Sequence, residues 1–391
     1  MPPFLLIRHN KYMNKYHNHI AIIGAGISGL ALGCILQEAR IPVIIFEKSD
    51  EVSNYGAGIS ISSNGIRILK NLRIYKDVLE QSANPKKAVY YSNKIEINSF
   101  DVDVITTSRK TLYKALLKKY IDHDGEILFN HMLSDLYTNK SELHFSNNAI
   151  YKVKHIAACD GINSLCRNQI LSSGSPVYSG YSVWRSIVDK TQYDIKTLLG
   201  PNYHIVTYPI SSSKVSFVAA IKTSKEYIES WKMPGTIDEL KADIPRSANK
   251  FFSFIDERST LYKWGVYTRP SLNKLCFDNL TFLGDAAHPI VPFIGQGGCL
   301  ALEDAYAFGQ LIVSSKDSLK NAQSAYENLR LKRIRKIKSL SERQGRLNHI
   351  KNPLLAMGRN MVIKYLPTIG MHSVKQVWNY NIDSALSKIK Q

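Results

Sequence analysis

Between His19 and Glu47 an apolar strand, a glycine turn, a helix, a second apolar strand and an acid follow one another, and this run constrains the fold of the chain most. His19-Ile20-Ala21-Ile22-Ile23 suits a central parallel strand, buried on both faces. Gly24-Ala25-Gly26-Ile27-Ser28-Gly29 follows, then helical spacing from Leu30 to Glu38, then Pro42-Val43-Ile44-Ile45-Phe46 ending at Glu47. A bare glycine triplet arises in many loops, but here all five parts arrive in order, as a complete βαβ unit. Gly24 permits the tight turn, Gly26 lets a pyrophosphate approach the backbone, and Gly29 allows close packing of helix on strand. The helix N-terminus offers free N–H groups to phosphates. Glu47 stands 18 residues after Gly29, where it can accept a bond from a ribose hydroxyl. The unit predicts an adenine dinucleotide site, without distinguishing FAD from NAD.

The bulk properties narrow the class. Of the 391 residues 44% are hydrophobic and 21% charged, as in an ordinary globular protein, and the length allows one large or two interwoven domains. The formal net charge of +19 is spread over the chain, which suits a cationic surface and anionic ligands more than a nucleic-acid motif. The densest basic run is Arg330, Lys332, Arg333, Arg335, Lys336 and Lys338, set against Tyr326, Leu329, Ile334, Ile337 and Leu340; it is expected to be the solvated face of a helix. Five cysteines with no Cys-x-x-Cys spacing argue against a disulfide framework or a zinc site and fit a reducing cytoplasm. Ile20 to Leu36 is apolar enough to resemble a membrane segment, but its spaced glycines and the strand after it favour a buried strand, turn and helix. Residues 1–18 read as a loose N-terminal extension, with Met13 an alternative start.

A second constellation lies near the C-terminal third. Asn279-Leu280-Thr281-Phe282-Leu283 reads as a buried strand, followed by Gly284-Asp285-Ala286-Ala287-His288-Pro289, Pro292, Gly295-Gln296-Gly297-Gly298 and a helix from Cys299 to Leu311 that holds Glu303 and Asp304. An acid at the carboxyl end of a parallel strand faces the ligand crevice of an α/β sheet, where Asp285 can hold a sugar or ribityl hydroxyl. Its bland alternative is a helix cap, and for His288 a role in shaping the turn is preferred over chemistry.

Here the chain resembles the single-component FAD-dependent aromatic hydroxylases, a family with salicylate hydroxylase-like members on the p-hydroxybenzoate hydroxylase fold. Gly284-Asp285 through Gly298 looks like that family's second FAD motif. Cys159-Asp160-Gly161-Ile162-Asn163-Ser164, closed by Arg167, is similar to its Asp-Gly motif, implicated in FAD and nicotinamide handling. Arg109 matches an arginine that contacts FAD in relatives, and Gly56-Ala57-Gly58-Ile59 with Asn64-Gly65 matches the loop after the second strand. The matches run in the family's order from about residue 19 to 345. The resemblance implies FAD contacts from Gly24, Gly26, Gly29, Glu47, Arg109, Asp160, Gly161, Gly284, Asp285, Gly295, Gly297 and Gly298. For Arg167 a cofactor role and a simple ion pair stand equal.

Between residues 172 and 273 the pattern turns β-rich. Tyr178 to Val188, Tyr203 to Ile210, Lys214 to Ile221 and Tyr262 to Arg269 alternate like antiparallel strands, and 238–255 reads as helix. His204 lies where some aromatic hydroxylases resembling this chain carry a base, able to deprotonate a phenol. Tyr208 and Arg185 are candidate substrate contacts, Arg185 for a carboxylate; Tyr181 and Trp184 are comparable. The basic and aromatic pair of urate-oxidising relatives is not evident. The tail, 341–391, is expected to be helical, interrupted at Asn352-Pro353 and Leu366-Pro367, and packed on the body.

The expected fold is α/β: a Rossmann-like FAD domain with a parallel sheet (19–75, 105–170, 274–340) interwoven with a β-rich substrate domain (76–104, 171–273) and a C-terminal helical region. The resemblance implies a cytoplasmic monooxygenase, monomer or homodimer. It would use NADH or NADPH and O2 to hydroxylate a small aromatic or heteroaromatic substrate through a flavin hydroperoxide. The alternatives are an epoxidase or reductase for an isoprenoid-like substrate, or a non-catalytic flavin-binding redox module. No nucleic-acid partner and no metal are expected, and membrane-surface contact is not favoured.

Overall fold

The computed structural model describes residues 13–50, 57–172, 174–227, 233–315 and 318–389. Ile20–Ile23 lies at the centre of a six-stranded sheet, flanked by Val43–Phe46 and His155–Ala158 in parallel register, with Ile127–Leu128 and Leu280–Phe282 outside them. Cys276–Phe277 closes the edge antiparallel. Every residue of the three central strands is buried, which accounts for their unbroken apolar runs. The helix Ile27–Glu38 covers the sheet and packs against Gly297–Ser314.

The second layer is an eight-stranded sheet. Its order is Pro234–Gly235, Leu261–Thr268, Val177–Asp189, Lys214–Lys222, Tyr203–Pro209, Ile195–Gly200, Lys87–Ser92 and Ile95–Asp101. The four strands read from alternation are present. Ile195–Gly200 was not foreseen, because both its faces are largely covered and the polar/apolar alternation is lost. The stretch 238–255 is a helix, Ile237–Asp243, and a separate 3-10 turn, Arg246–Phe251, divided at Pro245. Alternation sorts the strands' side chains between two sides. Trp184, Tyr203, Ile205, Phe217 and Ala219 pack with Leu240, Phe251 and Phe252 on the outer side. Val183, Arg185, His204, Val206, Tyr208, Val218 and Ala220 face the glycine turns.

The tail breaks at the two prolines named above, each of which opens a new helix: Pro353–Tyr365, capped by Asn352, and Pro367–Trp378. At the other end, the expected loose extension reaches residue 18, yet Tyr16 is buried against Phe46 and Tyr151 and donates to Glu126 Oε1 at 2.7 Å. Residues 1–12 lie outside the described residues.

The basic run requires a correction. Arg330 and Arg333, on the helix Leu319–Asn348, are buried; Lys332, Arg335 and Lys336 are exposed and form the solvated face. Arg330 Nε bonds Asp304 Oδ1 at 2.8 Å and its Nη1 pairs with Glu303 Oε2 at 2.8 Å; Arg333 Nη2 meets Glu303 Oε1 at 2.8 Å. Positions 330, 333, 334 and 337 share one helical stripe, so the cations point inward with the apolar residues. What draws them in are the two carboxylates of Gly297–Ser314. Burial pushes both carboxyls up, but the arginines, with His288 at Asp304, outweigh it and hold them below the ordinary carboxylate range.

Removing one partner of such a buried network leaves an uncompensated charge. Arg330→Met is therefore expected to lower unfolding stability by about 3–5 kcal/mol in urea titration, whereas Lys332→Met changes it by no more than about 0.5 kcal/mol. Since the folded carboxyls titrate below their unfolded values of about 4, their contribution is complete above about pH 5. It is lost as pH falls through the folded values, so melting temperatures measured down to pH 3 should drop only at the acid end.

Candidate functional site

A cavity of about 910 Å³ runs between the two sheets, within the size range of cofactor sites. Gly26, Arg109, Asp160, Gly161, Asp285, Gly295, Gly297 and Gly298 line one side, and Arg185, His204 and Tyr208 line the other. Residues far apart in sequence thus meet in one space. Gly24, Gly29, Glu47 and Gly284 stand behind its wall.

The space around the glycine turn differs from one position to the next. Gly24 has φ +101°, and a Cβ there would lie 2.6 Å from the Cys159 carbonyl oxygen; a Cβ on Gly29 would lie 2.0 Å from the carbonyl oxygen of Gly24. The fold itself requires both. Gly26 differs: its φ of −74° suits any residue, and nothing lies within 4 Å of a Cβ placed there. Packing does not require glycine at this position, and the open space leaves a ligand room to approach the backbone. Glu47 holds the turn from below, accepting the Ala25 N–H at 2.8 Å and the Ser49 N–H at 2.9 Å.

Asp160 accepts the Cys166 N–H at 3.1 Å through Oδ2, at the start of the helix Leu165–Leu171. Its Oδ1 is buried and makes no hydrogen bond among the described residues, which suits a donor arriving from the cavity. Burial raises this carboxyl. Among the described residues Arg167 pairs with no carboxylate: it is buried and donates to the carbonyls of Ala286, Ala287 and Pro270, tying the Asp-Gly segment to the second glycine turn.

Asp285 projects into the cavity, reached by solvent yet enclosed by protein, and that enclosure raises its carboxyl while Arg109 and His288 oppose the rise. His288 is turned away from the cavity; its Nε2 bonds Asp304 Oδ2, which also accepts the Gly284 N–H at 3.0 Å. The buried ion network therefore grips the turn that carries Asp285. Gln296 extends this grip, its amide nitrogen bonding Ser62 Oγ at 2.9 Å while Asn64 donates to both Gln296 and Glu303.

Arg185 Nη1 donates to the Gly58 carbonyl at 3.2 Å, and its guanidinium lies 5.6 Å from the centre of the Trp264 ring. Burial lowers its pKa, with Arg109 adding to the effect. A Cβ on Gly58 would lie 2.8 Å from Tyr208 Cε2, so the loop packs directly on the substrate sheet. Gly56, quoted with that loop, lies outside the described residues. His204 is buried, and its Nδ1 lies 3.1 Å from Nε2 of His349, at the end of the long helix. His349 Nδ1 lies 2.6 Å from the Gly345 carbonyl. Phe293 stands edge-on to both rings. No sequence signal marks His349, because 145 residues separate it from His204 and no spacing rule joins them.

The comparison with known proteins agrees with this geometry. Residues 17–337 match the model of a family described as an FAD binding domain. The chain belongs to this family. It is similar to 3-amino-4-hydroxybenzoate 2-monooxygenase PtnB3 of Streptomyces platensis, 26% identical over 364 residues that cover 87% of this chain and 90% of that protein. It shares its fold with a salicylate hydroxylase solved as a substrate complex: TM-score 0.81 at 20% identity, covering 96% of this chain and 98% of that one. It likewise shares the fold of Klebsiella pneumoniae HpxO, solved with FAD and uric acid, at TM-score 0.79 and 21% identity, with coverages of 97% and 98%. FAD is the cofactor, and the enzyme class is that of the FAD-dependent monooxygenases. Among the described residues no helix is long and apolar enough to cross a membrane.

The two kinds of glycine are separable by experiment. Gly26→Val should leave the melting temperature of the FAD-free protein unchanged and weaken FAD binding at least about tenfold, or about 1.4 kcal/mol, read by flavin fluorescence titration. Gly29→Ala should instead lower the melting temperature of the FAD-free protein.

Proposed function

We propose that this enzyme hydroxylates a phenol-type aromatic ring, with NADH or NADPH as reductant and O2 as oxygen source. The observation that carries the reading is the shared strand face. His204, Val206 and Tyr208 alternate inward on Tyr203–Pro209, so a base and a hydroxyl meet the cavity beside apolar walls and opposite the FAD turns. FAD, when bound, supplies the redox and oxygen-activating chemistry. Gly26, Asp160, Gly161, Asp285, Arg109 and the Gly295 to Gly298 turn would hold it.

The protein's own part begins with a proton. His349 Nδ1 lies 2.6 Å from the Gly345 carbonyl and its Nε2 3.3 Å from the Ala220 carbonyl; the shorter contact favours the proton on Nδ1, which leaves the Nε2 lone pair to His204. His204 then donates its Nδ1–H to that lone pair. The tautomer leaves His204 Nε2 as a lone pair for a phenol O–H. Burial, and secondarily His349, hold the pKa of His204 well below the ordinary imidazole value, so it is neutral and proton-accepting throughout the neutral range. Deprotonation raises the electron density of the ring at the positions to be hydroxylated. Val183, Leu199, Val206, Val218 and Trp264 exclude water from that part of the cavity. Arg185 adds positive charge near Tyr208, which favours an anionic or deprotonated substrate.

The test is aerobic NADH and NADPH oxidation by the FAD-loaded enzyme across hydroxybenzoates, other phenols, heteroaromatics and isoprenoids, with peroxide measured. A phenol that speeds oxidation while peroxide stays low supports the reading. Stimulation only by isoprenoids, or by nothing while FAD stays bound, overturns it. With such a phenol, kcat/KM should stay level from pH 8 to the ordinary histidine value of about 6.5, because the base titrates below it. His349→Phe should lower kcat about 10- to 100-fold, less than the roughly 10²- to 10⁴-fold of a general base itself, because it acts through His204, with little change in FAD affinity.

A further inference from the structure

The helix Pro353–Tyr365 buries none of its residues. Leu354 and Leu355 are 72% and 65% exposed, and Met357, Met361 and Tyr365 are exposed beside them. Leu354, Met357, Met361 and Tyr365 follow one another at helical spacing, so they form a continuous apolar stripe about 17 Å long. The helix is tied to the body by polar bonds from beneath: Asn98 Nδ2 donates to the Ile363 carbonyl at 2.8 Å, and Arg359 Nη1 to the Leu347 carbonyl at 3.0 Å.

Charge identifies what the stripe meets. From residue 343 to 382 the chain carries Arg343, Arg346, Lys351, Arg359, Lys364 and Lys375 and neither Asp nor Glu. All of these except Arg359 are exposed. A second copy docking here would bring the same cations against each other, with no acid to meet them in this stretch. An apolar helical stripe set in an excess of cations, with exposed Glu342 and, on the adjoining strand, Glu96 as acids near it, matches a helix lying in the headgroup region of an anionic bilayer.

We propose that this face docks the enzyme on a membrane surface rich in anionic phospholipid, through the exposed stripe of Pro353–Tyr365 and its surrounding lysines and arginines. Arg359, Val362 and Ile363 of the same helix line the cavity that holds His204 and Asp285, so docking sets the cavity's rim against the bilayer. An aromatic substrate dissolved in lipid then has a direct route inward; that consequence rests on the hydroxylase reading, whereas the docking does not.

The test is co-sedimentation of the FAD-loaded protein with vesicles of phosphatidylcholine alone and with 30% phosphatidylglycerol, beside the variant Leu354→Ser/Leu355→Ser/Met361→Ser. The wild type should bind the anionic vesicles at least tenfold more than the neutral ones, more weakly as salt rises. The variant should lose that binding while keeping its FAD content and melting temperature. Failure to bind anionic vesicles, or equal binding by the variant, overturns the proposal. Sedimentation velocity supplies the alternative: a wild-type dimer that becomes monomeric in the variant, without vesicle binding, assigns the face to a second copy. Turnover of a soluble phenol is read separately, so failure of docking leaves the hydroxylase reading intact.

Discussion

The network of Glu303, Asp304, Arg330, Arg333 and His288 is the interaction on which the site depends. It is buried, and it joins three parts that also share one apolar core: the turn Gly284–Ala287, the helix Gly297–Ser314 and the long helix Leu319–Asn348. Each carboxylate is met by more than one donor, and Asn64 and the Gly284 N–H take remaining acceptor positions. Its desolvation cost is large, and hydrophobic residues of similar volume would fill the same space at no such cost. What charges add is direction. Asp304 fixes the start of the turn bearing Asp285, and Arg333 also donates to the Val377 carbonyl, so the C-terminal helices are referred to the same point.

The substrate side depends on a simpler constraint, the two-residue period of a strand. That period alone puts Val183 and Arg185 on one side of the sheet and Trp184 on the other, and it places His204 and Tyr208 together on the cavity side. The long helix completes the arrangement. Its middle reaches Asp304 through Arg330 and its end carries His349, so the element anchored by the ion network also presents the imidazole that lies against His204. Cofactor side and substrate side are in this way mechanically one unit.

Much of this was legible in the sequence, because the informative features are local. The βαβ unit, the second glycine turn and four strands of the large sheet each carry their signal within a few residues. The inward arginines were not legible. A basic run on an amphipathic helix reads as solvated unless the carboxylates facing it are known, and Glu303 and Asp304 lie some 26 to 30 residues away on another helix. Position 330 falls on the same stripe as Ile334 and Ile337, which was the available hint. His349 lacked even that, since its role arises only when the helix end closes over the sheet. The motif assigns Gly26 and Gly29 different tasks, and the space a Cβ would meet differs accordingly, open at Gly26 and filled at Gly29.

The most direct test of the account is the fate of isotopic oxygen. With a phenol that stimulates NAD(P)H oxidation, the reaction is run under 18O2 in unlabelled water and the product is weighed by mass spectrometry. One labelled oxygen per product, with one NAD(P)H consumed for each, is the predicted result. Product that carries oxygen from water, or unchanged phenol with all label recovered as peroxide, would contradict the claim that this cavity brings ring, base and FAD together for oxygen transfer.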